Sequence, residues 1–174
     1  MTTTPIRIAM WSGPRNISTA MMRAFENRGD CAVVDEPFYA HYLAQTGLDH
    51  PGRDEVIAAG ETDWRHVVDA LTGPVPGDQR VFYQKHMTHH MLPQIGHDWF
   101  DAVTHVFLIR DPREVLASYL KSRPHATAED YLAQRARLGP AEVNRRLLGA
   151  AGVALSLAVI VGVPQKTISQ PRYK

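Results

Sequence analysis

The stretch IRIAMWSGPRNISTAMMRAFENRG, Ile6 to Gly29, decides the fold. It opens on an apolar run, breaks at Gly13 and Pro14, passes Arg15, Asn16 and Ile17, and then turns periodic. Ile6 to Met10 reads as a strand. Ser18 to Gly29 reads as a helix. Ser18 or Thr19 stands where a cap is wanted, Met21, Met22 and Phe25 form an apolar face, and Gly29 ends it. The chain thus begins with a strand, a polar turn and a helix.

Working outward, the alternation continues. Cys31 to Val34, Arg80 to Lys85 and Thr104 to Ile109 read as further strands, the last with the apolar character of a buried parallel strand. Asp54 to Leu71 looks helical throughout, and Gly73 to Gly77 reads as loop. After the last of these strands, Asp111 sits at a cap position, Pro112 at the first helical position and Glu114 at the third, which approximates a capping box. Strands alternating with helices predict a three-layer α/β/α domain around a mostly parallel sheet of four to five strands. With 174 residues the chain reads as a single domain, 1–174.

Composition narrows the function classes. The net charge of +1 gives no strong field for nucleic acid, so no nucleic-acid partner is expected. A single cysteine, Cys31, excludes an intramolecular disulfide framework and suits a reducing compartment. The first ten residues carry no leader pattern, and the expected location is the cytoplasm.

The turn between the first strand and helix, WSGPRNIS, lies where parallel α/β sheets bind ligands, at the carboxyl ends of the strands. Unpaired N–H groups and the positive end of the following helix attract an anion there. Gly13 admits close backbone approach, and Arg15 adds a permanent positive charge with a planar donor fork. Ser18 and Thr19 either touch a phosphate oxygen or only cap the helix. The nucleoside-triphosphate pattern G-x-x-x-x-G-K-[ST] is absent, for there is no second glycine and no lysine before the serine. A transferred group with less charge than a phosphoryl group can dispense with that lysine and with magnesium, and a sulfuryl group is such a case.

GPRNIST resembles the 5′-phosphosulfate loop of sulfotransferases, usually P-K-S-G-T-T. Pro14, Arg15, Ser18 and Thr19 fall at the matching places, and Ile17 stands where that family has glycine. LIRDPREVLASY is similar to the family's 3′-phosphate motif, an arginine at a strand end and a serine eight residues later; Arg110 and Ser118 have this spacing. Ser118 lies two helical turns beyond the Asp111 cap, so it faces the side of the helix start. The resemblance covers Ile6 to Arg123. It implies a P-loop-like fold and 3′-phosphoadenosine 5′-phosphosulfate as co-substrate without a metal. It also implies donor contacts from Gly13, Pro14, Arg15, Asn16, Ile17, Ser18, Thr19, Arg110 and Ser118, and a small-molecule hydroxyl as acceptor. Arg15 is expected to act in catalysis as well.

Sulfuryl transfer to a hydroxyl needs a base near the acceptor oxygen. Glu36 stands just past the second strand, as in some bacterial sulfotransferases. Lys85 and His86 stand at the end of the third, where cytosolic sulfotransferases have K-x-H, with the lysine on the leaving oxygen and the histidine as base; here the two are adjacent. Glu36 and His86 therefore both stand as candidate bases, with Glu36 preferred. His86, His89 and His90 have i, i+3, i+4 spacing and would share one face if helical, yet no metal site is expected from them.

Residues 140–174 are atypical of the family. Leu147 to Pro164 carry no charge, and as a helix these 18 residues would span about 27 Å, marginal for a bilayer. A buried helix followed by a last strand over Leu157 to Gly162 is the preferred reading; membrane association through 147–164 and a tail that leaves the fold incomplete are the others. A small-molecule kinase, with Asp35 as a metal ligand, and a non-catalytic nucleotide-binding remnant stand as alternative functions.

Overall fold

The computed structural model describes residues 4–122, 127, 129 and 159–161. Among the described residues five strands, β1 (Ile6–Ser12), β2 (Cys31–Asp35), β3 (Val81–Met87), β4 (Thr104–Ile109) and β5 (Val159–Val161), form one sheet in the order β2-β3-β1-β4-β5. Every neighbouring pair is parallel. β1 and β4, the two strands that feed the arginine-bearing junctions, both lie inside the sheet.

The side-chain period of two sorts each strand into two cores. Met10, Tyr83 and Leu108 face one side, where Met22 of α1 (Ser18–Glu26) and Phe25 pack against them. Phe25 stacks on Tyr83 at 4.4 Å between ring centroids. Ala9, Trp11 and Phe82 face the other side, under Val67 and Leu71 of α4 (Trp64–Thr72) and the segment holding Ile95, Trp99 and Phe100. Gln84 on this second face is fully buried, and its Nε2 donates to the carbonyl of Leu71 at 2.8 Å, so the core polar group is satisfied. Helices on both faces of a parallel sheet are the three-layer arrangement that the sequence predicts.

Local signals account for the ends of α1 and of α5 (Pro112–Ser122). Gly29 takes φ +75°, which only glycine adopts freely, and closes α1. Asp111 Oδ1 accepts the N–H of Arg113 at 2.8 Å and caps α5 as expected. Glu114 does not reach back to close the capping box; its carboxylate pairs with Arg110 instead.

Other expectations need correction. Asp54 to Leu71 is two helices, α3 (Arg53–Ala59) and α4, because Gly60 ends the first and Asp63 caps the second by accepting the N–H of Arg65 at 2.9 Å. Gly60 also permits a close crossing: a Cβ there would lie 2.6 Å from Ala40 Cβ. Ala40 belongs to α2 (Tyr39–Thr46), a helix that the sequence reading left unassigned. Within the loop 73–77 a short 3₁₀ turn begins at Pro76. His86, His89 and His90 do not share a helix face, since His86 is in β3 and the other two are in the 3₁₀ turn Thr88–His90. The last strand expected within Leu157 to Gly162 is present as β5, paired with Phe107 to Ile109. The rest of 147–164 lies outside the described residues. Among the described residues no helix is long and apolar enough to cross a membrane.

Candidate functional site

The predicted site residues gather around the carboxyl edge of the sheet, with His86 on the face opposite Lys85. The loop after β1 passes over this edge with Arg15 at φ 64° and Ile17 at φ 55°, both in the left-handed region. Ile17 is the cap residue of α1 and contributes no side-chain hydrogen bond, so Ser18 and Thr19 are helical residues rather than caps. The first turn of α1 contains no acidic residue, which leaves its positive end uncompensated. A Cβ built on Gly13 meets nothing within 4 Å, and Gly13 is not among the positive-φ glycines. Neither packing nor backbone geometry demands glycine there; what it leaves open is the space in front of the loop. Pro14 precedes Arg15 in the turn, half-buried.

Two long-range bonds fix the loop. The Asn16 amide is buried, and its Nδ2 donates to the carbonyl of Leu108 in β4 at 2.9 Å, while its Oδ1 is buried with no partner among the described residues. Arg110 Nη1 donates to the carbonyl of Arg15 at 2.7 Å. Arg15 Nε in turn donates to Ser118 Oγ at 3.1 Å, 103 residues away in sequence. The two motifs read separately in the sequence are thus one cluster: Arg15, Arg110 and Ser118 meet. The Arg110 side chain is 13% exposed and pairs with Glu114 at 3.1 Å, a carboxylate that is 55% exposed. Glu114 pairs with Arg110, whereas the Arg15 guanidinium bonds the neutral Ser118 hydroxyl, so the cluster of two guanidinium groups and one carboxylate carries excess positive charge.

A second cluster lies across β1. Lys85 Nζ, 4% exposed, sits 2.6 Å from Asp35 Oδ1 and 2.6 Å from Glu36 Oε1. Glu36 is in the left-handed region at φ 48°, with its N–H donated to the carbonyl of Lys85 at 2.9 Å. Burial, the largest single influence, pulls the Lys85 ammonium down, but the hydrogen bonds and charges of Asp35 and Glu36 outweigh it and hold it above the ordinary lysine value. The group stays protonated, and the cluster keeps one net negative charge. β3 and β4 flank β1, so the strands that carry Lys85 and Arg110 stand about 10 Å apart, with β2, which leads into Glu36, one strand farther out.

His86 is placed differently. Strand alternation sends it to the face opposite Lys85, where its ring stacks on Trp11 at 4.3 Å and 22° and lies near Phe38 and Trp99. It is 1% exposed, and burial, aided by nearby His105, pushes its pKa down to about 3. His89 is pushed down to about 4 by burial, and His90, stacked on Tyr39 at 4.9 Å, is held well below the usual histidine value chiefly by burial. The Nδ1 atoms of all three are buried without a hydrogen bond among the described residues.

Sequence reasoning did not find the anchoring by Asn16 or the role of Asp35 as second partner to Lys85. The opposed directions of Lys85 and His86 were available from the period of two in β3.

A chemically consistent division results. The loop after β1, with Arg15, Arg110 and Ser118 clustered at it, lies on one side, and a carboxylate held by a buried ammonium lies on the other. A model of the sulfotransferase domain matches residues 6–158. Two proteins of Arabidopsis thaliana are similar over most of this chain. Branched-chain-amino-acid aminotransferase-like protein 2 is 37% identical over 123 residues, and protein 1 is 38% identical over 126 residues. These matches take in 70% and 72% of this chain, but only 22% of the length of each relative.

Proposed function

Because the chain belongs to the sulfotransferase domain family, we propose that it transfers a sulfuryl group from 3′-phosphoadenosine 5′-phosphosulfate to a hydroxyl of a small molecule. The observation that carries this reading is the meeting of Arg15, Arg110 and Ser118 beside the uncompensated start of α1. The residues fit such a donor: Gly13 leaves open space, the loop presents N–H groups, and excess positive charge faces them.

The donor supplies an activated sulfuryl group; the acceptor oxygen bonds to sulfur as the bond from sulfur to the 5′-phosphate oxygen breaks and that phosphate leaves with the electron pair. Arg15 and the N–H groups at Ile17, Ser18 and Thr19 hold the 5′ end and the charge that grows on it. Arg110 and Ser118 hold the 3′-phosphate. For Arg110 this means exchanging Glu114, half-exposed and therefore weakly bound, for a doubly charged partner. Ser118 Oγ accepts from Arg15 and keeps its own proton to donate. Glu36 accepts the acceptor's hydroxyl proton. Its Oε1 is engaged by Lys85, which leaves Oε2 for that task. Lys85, buried between its two carboxylates, is a positioning residue for Glu36. His86, inside the aromatic stack, serves the core.

A thermal-shift comparison tests the donor assignment. 3′-Phosphoadenosine 5′-phosphate stabilises the protein more than adenosine 5′-phosphate, and magnesium adds nothing. Equal shifts for the two nucleotides, or a requirement for magnesium, would favour the kinase reading instead.

A further inference from the structure

The two ends of the proposed nucleotide meet unlike helix starts. The first turn of α1, assigned to the 5′ end, contains no acidic residue. The first turn of α5, assigned to the 3′-phosphate, contains one, Glu114. Its Oε2 accepts from Arg110 Nε at 3.1 Å. Glu114 also lies one turn before Ser118 on the same helix, and residues four apart have Cβ atoms about 5–6 Å from one another. An internal carboxylate thus sits on the guanidinium, and near the hydroxyl, that the phosphate would use.

The two partners of this ion pair are held unequally. The Arg110 side chain is 13% exposed, and its Nη1 is fixed on the Arg15 carbonyl at 2.7 Å. The Glu114 side chain is 55% exposed, and Arg110 is the one cation it pairs with among the described residues. When a stronger anion arrives, the carboxylate is therefore the partner that swings out to water, while Arg110 stays in place. A phosphate monoester carries about 1.5–2 negative charges and three acceptor oxygens. It outcompetes a single carboxylate in an exposed pair. A 3′-hydroxyl carries no charge and displaces nothing. Carboxylate and phosphate also repel each other at this range, so the two do not share Arg110 without loss.

We propose that Glu114 is a built-in competitor for the 3′-phosphate. It holds Arg110 when no nucleotide is bound, yields to the phosphate, and by returning to Arg110 speeds the release of 3′-phosphoadenosine 5′-phosphate after each transfer. The inference rests on the donor reading above and names the residue that limits how long the spent nucleotide is retained.

The test is isothermal titration of the full chain, at one fixed ionic strength, with 3′-phosphoadenosine 5′-phosphate and with adenosine 5′-phosphate. Stopped-flow displacement gives the release rate. Glu114→Gln keeps the size of the side chain and removes its charge; Glu114→Ala removes its hydrogen bond as well. Both should bind 3′-phosphoadenosine 5′-phosphate about 1.5–5-fold tighter, the range of an exposed ion pair, with the gain appearing as slower release. Both should leave adenosine 5′-phosphate affinity unchanged. In an Arg110→Ala background the same two changes should have little effect, because nothing remains to compete for. Unchanged or weaker binding in both variants overturns the proposal, and the weaker case makes Glu114 a residue that orients Arg110 for the phosphate. Tightening of equal size in the Arg110→Ala background, or for adenosine 5′-phosphate, also overturns it, since general charge repulsion then suffices. A parent protein that binds the two nucleotides equally overturns the donor reading itself, and the competitor falls with it.

Discussion

Lowering the pH from 7.5 to 5 should remove much of the folding free energy, and the cause is the histidine set around β3. Burial holds His86 at about 3 and His89 at about 4, against about 6.5 in an unfolded chain. A histidine depressed in this way stays neutral in the fold while the unfolded chain takes up a proton. Its stability contribution is full above the ordinary value and falls as pH drops towards the folded value. At pH 5 each lies about 1.5 pH units below the unfolded pKa and above its folded one, which favours unfolding by about 2 kcal/mol per residue. The two together give about 4 kcal/mol, and His90, depressed by burial and by its neighbours His89, His86, Lys85 and His50, adds in the same direction. Set against a total of about 5–15 kcal/mol for a typical domain, the loss is large. Urea unfolding followed by tryptophan fluorescence suits the measurement, because Trp11 and Trp99 share the stack with His86. With an m value of about 2 kcal/mol/M, the midpoint should fall by about 2 M. His86→Phe keeps an aromatic ring in the stack without a titrating group and should restore about 1 M of the lost midpoint. A midpoint unchanged between pH 7.5 and 5, or an unaltered pH response in His86→Phe, would refute the reasoning.

Arg110→Ala removes a charge-assisted contact of about 1.5–3 kcal/mol, so isothermal titration should show the preference for 3′-phosphoadenosine 5′-phosphate over adenosine 5′-phosphate shrink about 10–150-fold; a preserved ratio would place the 3′-phosphate elsewhere. Glu36→Gln should bind nucleotide normally and transfer about 10²–10⁴-fold more slowly, whereas His86→Phe should keep most of its rate at pH 7.5; the opposite pattern would reverse the two roles. Lys85→Met leaves Asp35 and Glu36 facing each other and should destabilise by about 1–2 kcal/mol, less than a fully buried pair because Asp35 is 49% exposed; adding Glu36→Gln should recover part of it, and strict additivity of the two changes would deny their coupling. Ile17→Gly should bind nucleotide as tightly as the parent and be equally or slightly more stable by thermal denaturation; a tenfold weaker binding would make the isoleucine side chain, not the backbone, the donor contact.

The parts of the fold legible in the sequence are those written in local signals. The strands appear as apolar runs, and the junctions after β1 and β4 carry Gly13-Pro14 and Asp111-Pro112 in plain view. α2 was not legible because its buried positions, Ala40, His41 and Leu43, include a polar residue and make only a short stripe. The break between α3 and α4 was signalled by Gly60 and Asp63, but an unbroken periodic pattern on either side outweighed them. The contact between Arg15 and Ser118 was foreseeable only as two motifs, because their meeting depends on β4 pairing with β1. A shallow cleft between α2 and the start of α4, lined by His41, Gln45 and Gln94, depends on three segments packing together, and no one of them carries a motif.

The isoleucine in place of the family's glycine bears on what the loop after β1 recognises. A left-handed residue costs about 1–2 kcal/mol for an L-amino acid with a side chain, and a β-branched one is among the least tolerant. Ile17 sits there nonetheless, two residues after Arg15 in the same region. The neighbouring structure supplies the restraint: Asn16 is tied to β4, and the Arg15 carbonyl is tied to Arg110. What the strained conformation achieves is a left-handed residue immediately before the right-handed start of α1, the alternation that turns successive N–H groups into one concavity suited to an anion. The side chain of Ile17 points away into solvent at 40% exposure and touches no hydrogen-bond partner. Recognition of the donor's 5′ end, in the proposed function, therefore rests on backbone geometry that several residue types can supply at different cost. Arg110 has two tasks in that arrangement: it braces the strained loop through the Arg15 carbonyl, and it faces the 3′-phosphate. Its loss should accordingly loosen both ends of the donor, with the larger effect on nucleotides that carry the second phosphate.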